Sequence, residues 1–143
     1  MAKYVEFSVG EGGKKPYKKY SGDAGWDLFV SRPCDIAPGE TVDVHTDIRI
    51  SMPPKTFARI TGRSSTLRKH GLLVYEGIID NGYTGEMFVC VHNLGKETFH
   101  VEPGMRLAQM IFGTIDDVRW CPVEDIKADP RRRGDAGFGS TGR

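Results

Sequence analysis

The chain has 143 residues, with 20 Lys and Arg against 19 Asp and Glu, so its net charge is +1 at pH 7. That balance argues against a nucleic-acid binder held by bulk charge and against an acidic disordered tail protein. The length fits one domain, or one protomer of an oligomer, with a core of its own.

Met1 to Glu6 has no apolar stretch behind Lys3, so it does not read as a secretory signal. No apolar run approaches the length of a membrane span. Ala24-Gly25-Trp26-Asp27-Leu28 sets a carboxylate beside a glycine, ordinarily a turn. Short alternating runs follow: Thr41 to His45, Asp47 to Met52 stopped by Pro53-Pro54, and Phe57 to Thr61. Gly62-Arg63 then leads into Ser64-Ser65-Thr66-Leu67-Arg68-Lys69-His70, the one predicted helix. It opens on N-cap residues, carries basic residues in its last turn and ends at Gly71. Within Gly77 to Glu86, Asn81-Gly82 signals a hairpin. Gly85 to His92 and Arg106 to Phe112 are longer β-type runs. Many short strands with closely spaced turn signals predict an all-β sandwich or barrel with one short helix. Eighteen glycines fit such a chain. Cys34, Cys90 and Cys121 lie far apart with no C-x-x-C pair, which argues against a disulfide framework or a structural zinc. A reducing aqueous compartment, cytosol or nucleus, is expected.

From Lys127 the composition changes: Arg131, Arg132 and Arg133 are followed by four glycines and almost nothing that fills a core. The reading is a core over residues 1–126 and a flexible arm over 127–143. Gly137 to Gly142 matches G-x-G-x-x-G, but a dinucleotide fingerprint must open a helix inside a βαβ unit, and only Arg143 follows here. What remains is chemistry. Glycines expose N–H groups, Ser140 and Thr141 add hydroxyls, and the arginines add charge, a set that suits a polyphosphate. Phe138 offers a flat face for a base. Gly62-Arg63-Ser64-Ser65 is a second anion-type segment at a helix start. A triphosphate brings Mg²⁺, which takes few carboxylates beside phosphates and water.

Five segments in one order make the combination specific. They are Ala24–Leu28, Gly62–Ser65 continuing to Gly71, Gly77–Glu86, Arg106–Gln109 and Arg133–Gly142. Together they resemble the trimeric-type dUTP pyrophosphatases (dUTPases), over residues 24 to 142. The resemblance implies a jelly-roll-like β protomer in a homotrimer, with three sites shared between subunits and the arm closing over the nucleotide. It implies hydrolysis of dUTP to dUMP and pyrophosphate with Mg²⁺, supplying dUMP for thymidylate synthesis and keeping uracil out of DNA. By motif, Asp80 would activate the water that attacks the α-phosphorus. Tyr83 would pack on the deoxyribose, and the backbone of Gly77, Ile79 and Asp80 would read uracil. Asp27 would hold Mg²⁺ through water. Arg63, Ser64, Ser65 and Gln109 would contact the phosphate chain. Phe138 would stack on uracil, with Arg133, Gly139, Ser140 and Thr141 binding around the terminal phosphates. Arg106 would brace a carboxylate or a subunit contact. Trp26 stands where relatives more often carry Tyr or a smaller residue, and Val74 where some carry an Asn that helps read the base. No membrane and no nucleic-acid partner is expected, and the location is cytoplasmic, or nuclear or host-cytosolic for a viral protein.

Two alternatives stand beside this, with a nucleic-acid binder using Arg131 to Arg133 and Phe138 as a third and weaker one. A dCTP deaminase shares the fold and several motifs but needs a catalytic Glu, with Glu76 and Glu86 nearby. A regulatory protein keeping the fold and using dUTP occupancy as a switch is the other.

Overall fold

The computed structural model describes residues 2–138. The strands are β1 (Glu6–Val9), β2 (Trp26–Leu28), β3 (Cys34–Ile36), β4 (Thr41–Val44), β5 (Ile48–Ser51), β6 (Thr56–Gly62), β7 (Leu72–Val74), β8 (Gly77–Ile79), β9 (Val89–Asn93), β10 (Phe99–Val101) and β11 (Ala108–Thr114). The helix, α1, spans Ser64–His70 between β6 and β7. All named strand pairs are antiparallel. The strands pair as β1-β5, β10-β3, β4-β9-β7 and the four-stranded β2-β11-β6-β8. The result is a jelly-roll-like β-sandwich, as the sequence pattern predicts.

Alternation builds the core. In β5, Ile48 and Ile50 are buried while Arg49 and Ser51 face out, and in β6 Thr56, Ala58 and Ile60 point inward. Leu28, Ile36, Leu72, Met87 and Met110 fill the space between the layers. Buried polar groups are satisfied. Asn93 donates to Ile36 O at 2.9 Å and Glu97 O at 2.8 Å, and accepts from Gly95 N at 2.8 Å, tying β9 to β3. An unpaired amide at that depth would cost about 1–3 kcal/mol.

Two local expectations change. The helix runs over the predicted residues and stops where Gly71 turns left-handed (φ 64°), its N–H bonding Leu67 O at 3.0 Å. Its N-cap is Arg63, with no side-chain cap, so the serines are the first helical residues rather than the cap. The start is held instead by Thr66, whose hydroxyl donates to Leu107 O at 2.6 Å. Around Asn81-Gly82 no hairpin forms. β8 pairs with β6, whereas Glu86 bridges to Arg49 and β9 lies between β4 and β7. The turn is a corner between two sheets. Gly82 takes φ 96° and Tyr83 N donates to Asp80 O at 3.1 Å, the pattern of a turn with Gly at its third position.

After Thr114 the described residues form no helix or strand. Trp120 is 96% exposed and Ile126 80%.

Candidate active site

The site residues fall into two groups on one sheet. The first gathers where β2, β11 and the end of β6 meet. Register sets Gln109 opposite Asp27 and Ala108 opposite Gly62, so Asp27, Gln109 and Arg63 become neighbours. Asp27 Oδ1 pairs with Arg63 Nε at 3.0 Å and Oδ2 with Arg106 NH1 at 3.1 Å. Arg63 NH1 also donates to Arg106 O at 3.0 Å. A guanidinium has five N–H donors. With two used on Asp27 and Arg106, three of Arg63's stay available to a ligand. Gln109 donates to Gly62 O at 3.2 Å and lies against Gly25, where a Cβ would come 2.2 Å from Gln109 Oε1. Gly25 is therefore a close-approach glycine, needed for the side chain beside it. Ser64 is exposed and Ser65 half-buried at the start of α1, next to Arg63.

The second group is the corner after β8. As the edge strand of its sheet, β8 has one side that no strand covers among the described residues. Asp80 is exposed, and its carboxylate has no hydrogen-bond or ion-pair partner among the described residues. Tyr83 folds back so that a Cβ on Gly85 would lie 2.7 Å from its Cζ, and its hydroxyl donates to Glu86 O at 2.9 Å. The ring is a fixed, half-open wall beside Asp80.

These groups do not meet within the chain. Register pairs Ile60 with Gly77 and Ala58 with Ile79, so the chain from β8 runs toward the start of β6. Asp80 comes one step beyond Ala58, near position 57, while Arg63 follows the far end of the strand. Six residues of strand at about 3.3 Å each separate them by roughly 20 Å.

Residues 127–138 make their own local contacts. Arg131 and Arg132 pair with Asp129, and Arg133 Nε donates to Ala136 O at 2.6 Å. Phe138 is fully exposed with φ 48°. Gly139, Ser140 and Thr141 lie outside the described residues.

Other side chains support the two groups. The guanidinium carbon of Arg106 sits 5.9 Å from both the Tyr17 and the Phe29 ring centroids, which aims its charge at Asp27. Asn81 donates from Nδ2 to Pro53 O and to Thr56 O, both at 2.8 Å. Val74 is buried and packs against Gly62.

One further set of polar side chains resembles a metal site: His45, Asp47 and Glu86, the only such trio among the described residues. Much of this set is already engaged in hydrogen bonds within the fold. Asp47 accepts from Ser31 Oγ at 2.6 Å and from Arg32 at 2.9 and 2.8 Å. Those bonds lower its pKa to about 2. Glu86 Oε2 faces His45 Nδ1 at 2.9 Å and accepts from the N–H groups of Thr46 and Asp47 at 3.2 and 3.3 Å. This network locks the left-handed turn at Asp47 (φ 54°).

Comparison with known proteins agrees with the motifs. The dUTPase family profile matches residues 12–142. A deoxyuridine 5'-triphosphate nucleotidohydrolase of Clostridium novyi is 42% identical over 130 residues, covering 89% of each chain. A segment of the Pol polyprotein of equine infectious anemia virus is 41% identical over 125 residues, 87% of this chain and 11% of that protein. Among solved structures, the dUTPase of Staphylococcus bacteriophage 80alpha with dUpNHpp superposes with a TM-score of 0.88 at 23% identity, covering 98% of this chain and 99% of that one. The dUTPase of the S. aureus phage phi11, described with a structural Mg(II) ion, gives 0.81 at 22% identity, covering 87% and 99%. The chain belongs to the dUTPase family.

Proposed function

We propose that this member of the dUTPase family hydrolyses dUTP to dUMP and pyrophosphate with Asp80 holding the attacking water. The observation that carries the reading is Asp80 itself, an exposed carboxylate without a partner among the described residues, on a turn closed by the bond from Tyr83 N to Asp80 O. Such a group is free to accept a hydrogen bond from water and aim it at the α-phosphorus. The new P–O bond forms as the bond to the α,β-bridging oxygen breaks, and pyrophosphate leaves. The proton passes to Asp80 and on to solvent. A positioned base of this kind contributes roughly 10²–10⁴-fold.

Specificity comes from the same corner. The open edge of β8 offers backbone groups of Gly77 and Ile79 to a uracil, as it would to another strand. The Tyr83 ring walls the sugar side and leaves no room for a 2′-hydroxyl. Arg63, Ser64, Ser65 and Gln109 take the phosphate chain, with Arg63 aimed by Asp27.

Asp27 also tests the place of Mg²⁺. A carboxylate has about four lone-pair sites, and two guanidiniums occupy one on each oxygen. One lone pair on each oxygen remains, enough to accept from a water that would ligate the ion. When bound, Mg²⁺ supplies charge neutralisation on the phosphate oxygens. The arm, through Arg133, Gly139, Ser140 and Thr141, closes on the terminal phosphates while Phe138 stacks on the base.

The separation of roughly 20 Å along β6 supports sites shared between copies, which we place in the homotrimer that the resemblance implies. The Asp80 corner of one copy and the Asp27–Arg63 end of another complete one site. Trp120 and Ile126, almost fully exposed in one protomer, support a second copy covering them. Location in the cytosol or nucleus belongs to the same reading.

The test is Asp80→Asn. It should bind dUpNHpp as the native protein does and lose at least about 100-fold in kcat. Near-normal turnover would remove Asp80 from the chemistry.

A further inference from the structure

Asp80 is not held by its own side chain. Three features place it: the pairing of β8 with β6, the bond from Tyr83 N to Asp80 O, and whatever fixes the far side of the turn. That last feature is Asn81. Its amide Nδ2 donates to Pro53 O and to Thr56 O, both at 2.8 Å. Both hydrogens of the amide are spent on carbonyls 28 and 25 positions away in sequence.

The anchor is firm. Thr56 is buried and opens β6, the strand flanked by β11 and β8. Pro53 and Pro54 restrict the backbone that presents the two carbonyls, and Thr56 Oγ1 closes that turn onto Pro54 O at 3.3 Å. Asn81 thus clips the exposed corner to the best-packed part of the same sheet. The next residue, Gly82, has φ 96° and no atom within 4 Å of a Cβ built on it, so nothing on that side restrains the turn.

We infer that Asn81 is a positioning residue for the hydrolytic step: its amide sets where the Asp80 carboxylate stands, and it touches neither nucleotide nor water. The inference rests on the reading of Asp80 given above. A base must sit within hydrogen-bond reach of the water, and a displacement of about 1 Å costs on the order of 100-fold in rate. The contact requires a donor, because both partners are carbonyl oxygens. Aspartate has the same shape and only acceptors at pH 7, so it should fail as alanine does.

The experiment compares Asn81→Ala, Asn81→Asp, Asp80→Asn and the double variant Asp80→Asn/Asn81→Ala in the full-length protein. Steady-state kinetics with dUTP and binding of dUpNHpp are both measured. Each Asn81 variant should lose roughly 10- to 100-fold in kcat, while KM and dUpNHpp affinity stay within about threefold, since no ligand contact is removed. In the Asp80→Asn background, Asn81→Ala should cost almost nothing more, because the group it positions is already disabled. Native kcat in either Asn81 variant, with Asp80→Asn inactive, overturns the inference alone. A full additive loss in the double variant, or a loss confined to dUpNHpp affinity, overturns it too and makes Asn81 a structural or binding residue. Normal turnover in Asp80→Asn instead overturns the reading on which it rests.

Discussion

Arg106→Met is the substitution whose cost the structure sets most directly. The change keeps an unbranched apolar stem and removes the guanidinium. It deletes the pair with Asp27 Oδ2 at 3.1 Å, where Asp27 is 19% and Arg106 38% exposed, and both aromatic contacts at 5.9 Å. A half-open ion pair contributes about 0.5 kcal/mol. Each exposed cation–π contact adds about 0.5 kcal/mol. The sum is about 1.5 kcal/mol, which for a chain of this size lowers Tm by about 6 °C at about 4 °C per kcal/mol. Asp27 keeps Arg63, so kcat should stay within about twofold, and KM for dUTP should rise by less than about threefold. Arg106→Lys keeps the charge but not the planar fork, and should recover about half of the lost Tm. The assay is calorimetry at fixed protein concentration together with steady-state kinetics. A Tm within about 1 °C of native for Arg106→Met, or a Lys variant less stable than the Met variant, refutes the argument that this guanidinium braces the site.

Two further outcomes follow from individual contacts. Asp47 has a folded pKa of about 2 against an ordinary 3.8, because Arg32 and Ser31 hydrogen-bond its charged form. A depressed carboxylate stabilises the fold above the unfolded value and loses that effect as pH falls from 3.8 toward 2. With Arg32 54% exposed, the contribution discounts to about 1 kcal/mol. Asp47→Asn, which tolerates the same left-handed backbone, should therefore be less stable than native at pH 7 and converge on it in that acid window. A constant gap across the titration contradicts the linkage. Gly25→Ala puts a methyl 2.2 Å from Gln109 Oε1 and 3.1 Å from its Cβ. It should turn Gln109 away from Gly62 O and raise KM for dUTP about threefold to tenfold, with unchanged KM as the contrary result.

How much of this was legible in the sequence differs by element. The strands show because one face of each is buried: Ile48, Ile50, Ala58 and Ile60 recur at every second residue. The end of α1 shows because Gly71 is the residue that adopts the left-handed cap most cheaply. The corner at Asn81-Gly82 misleads because the same pair serves any turn that needs a positive φ, and only long-range pairing decides which sheet each flank joins. The brace of Asp27 by Arg106 spans 79 residues with no period to betray it, and only the resemblance pointed to Arg106 as the brace of a carboxylate. Asn81's partners are backbone carbonyls, which no residue type encodes. The role given to Asp80 came from resemblance. The residues alone read as a turn.

The most direct test of the account is pyrophosphate release by the purified protein from dUTP, dTTP, dCTP and UTP, each with Mg²⁺ and again with a chelator. The account predicts release from dUTP only, lost on chelation. On the proposed reading, the 5-methyl of dTTP would meet the edge of β8, dCTP would present the wrong base edge to it, and the 2′-hydroxyl of UTP would meet Tyr83. Equal release from dUTP and UTP, or none from dUTP, contradicts it.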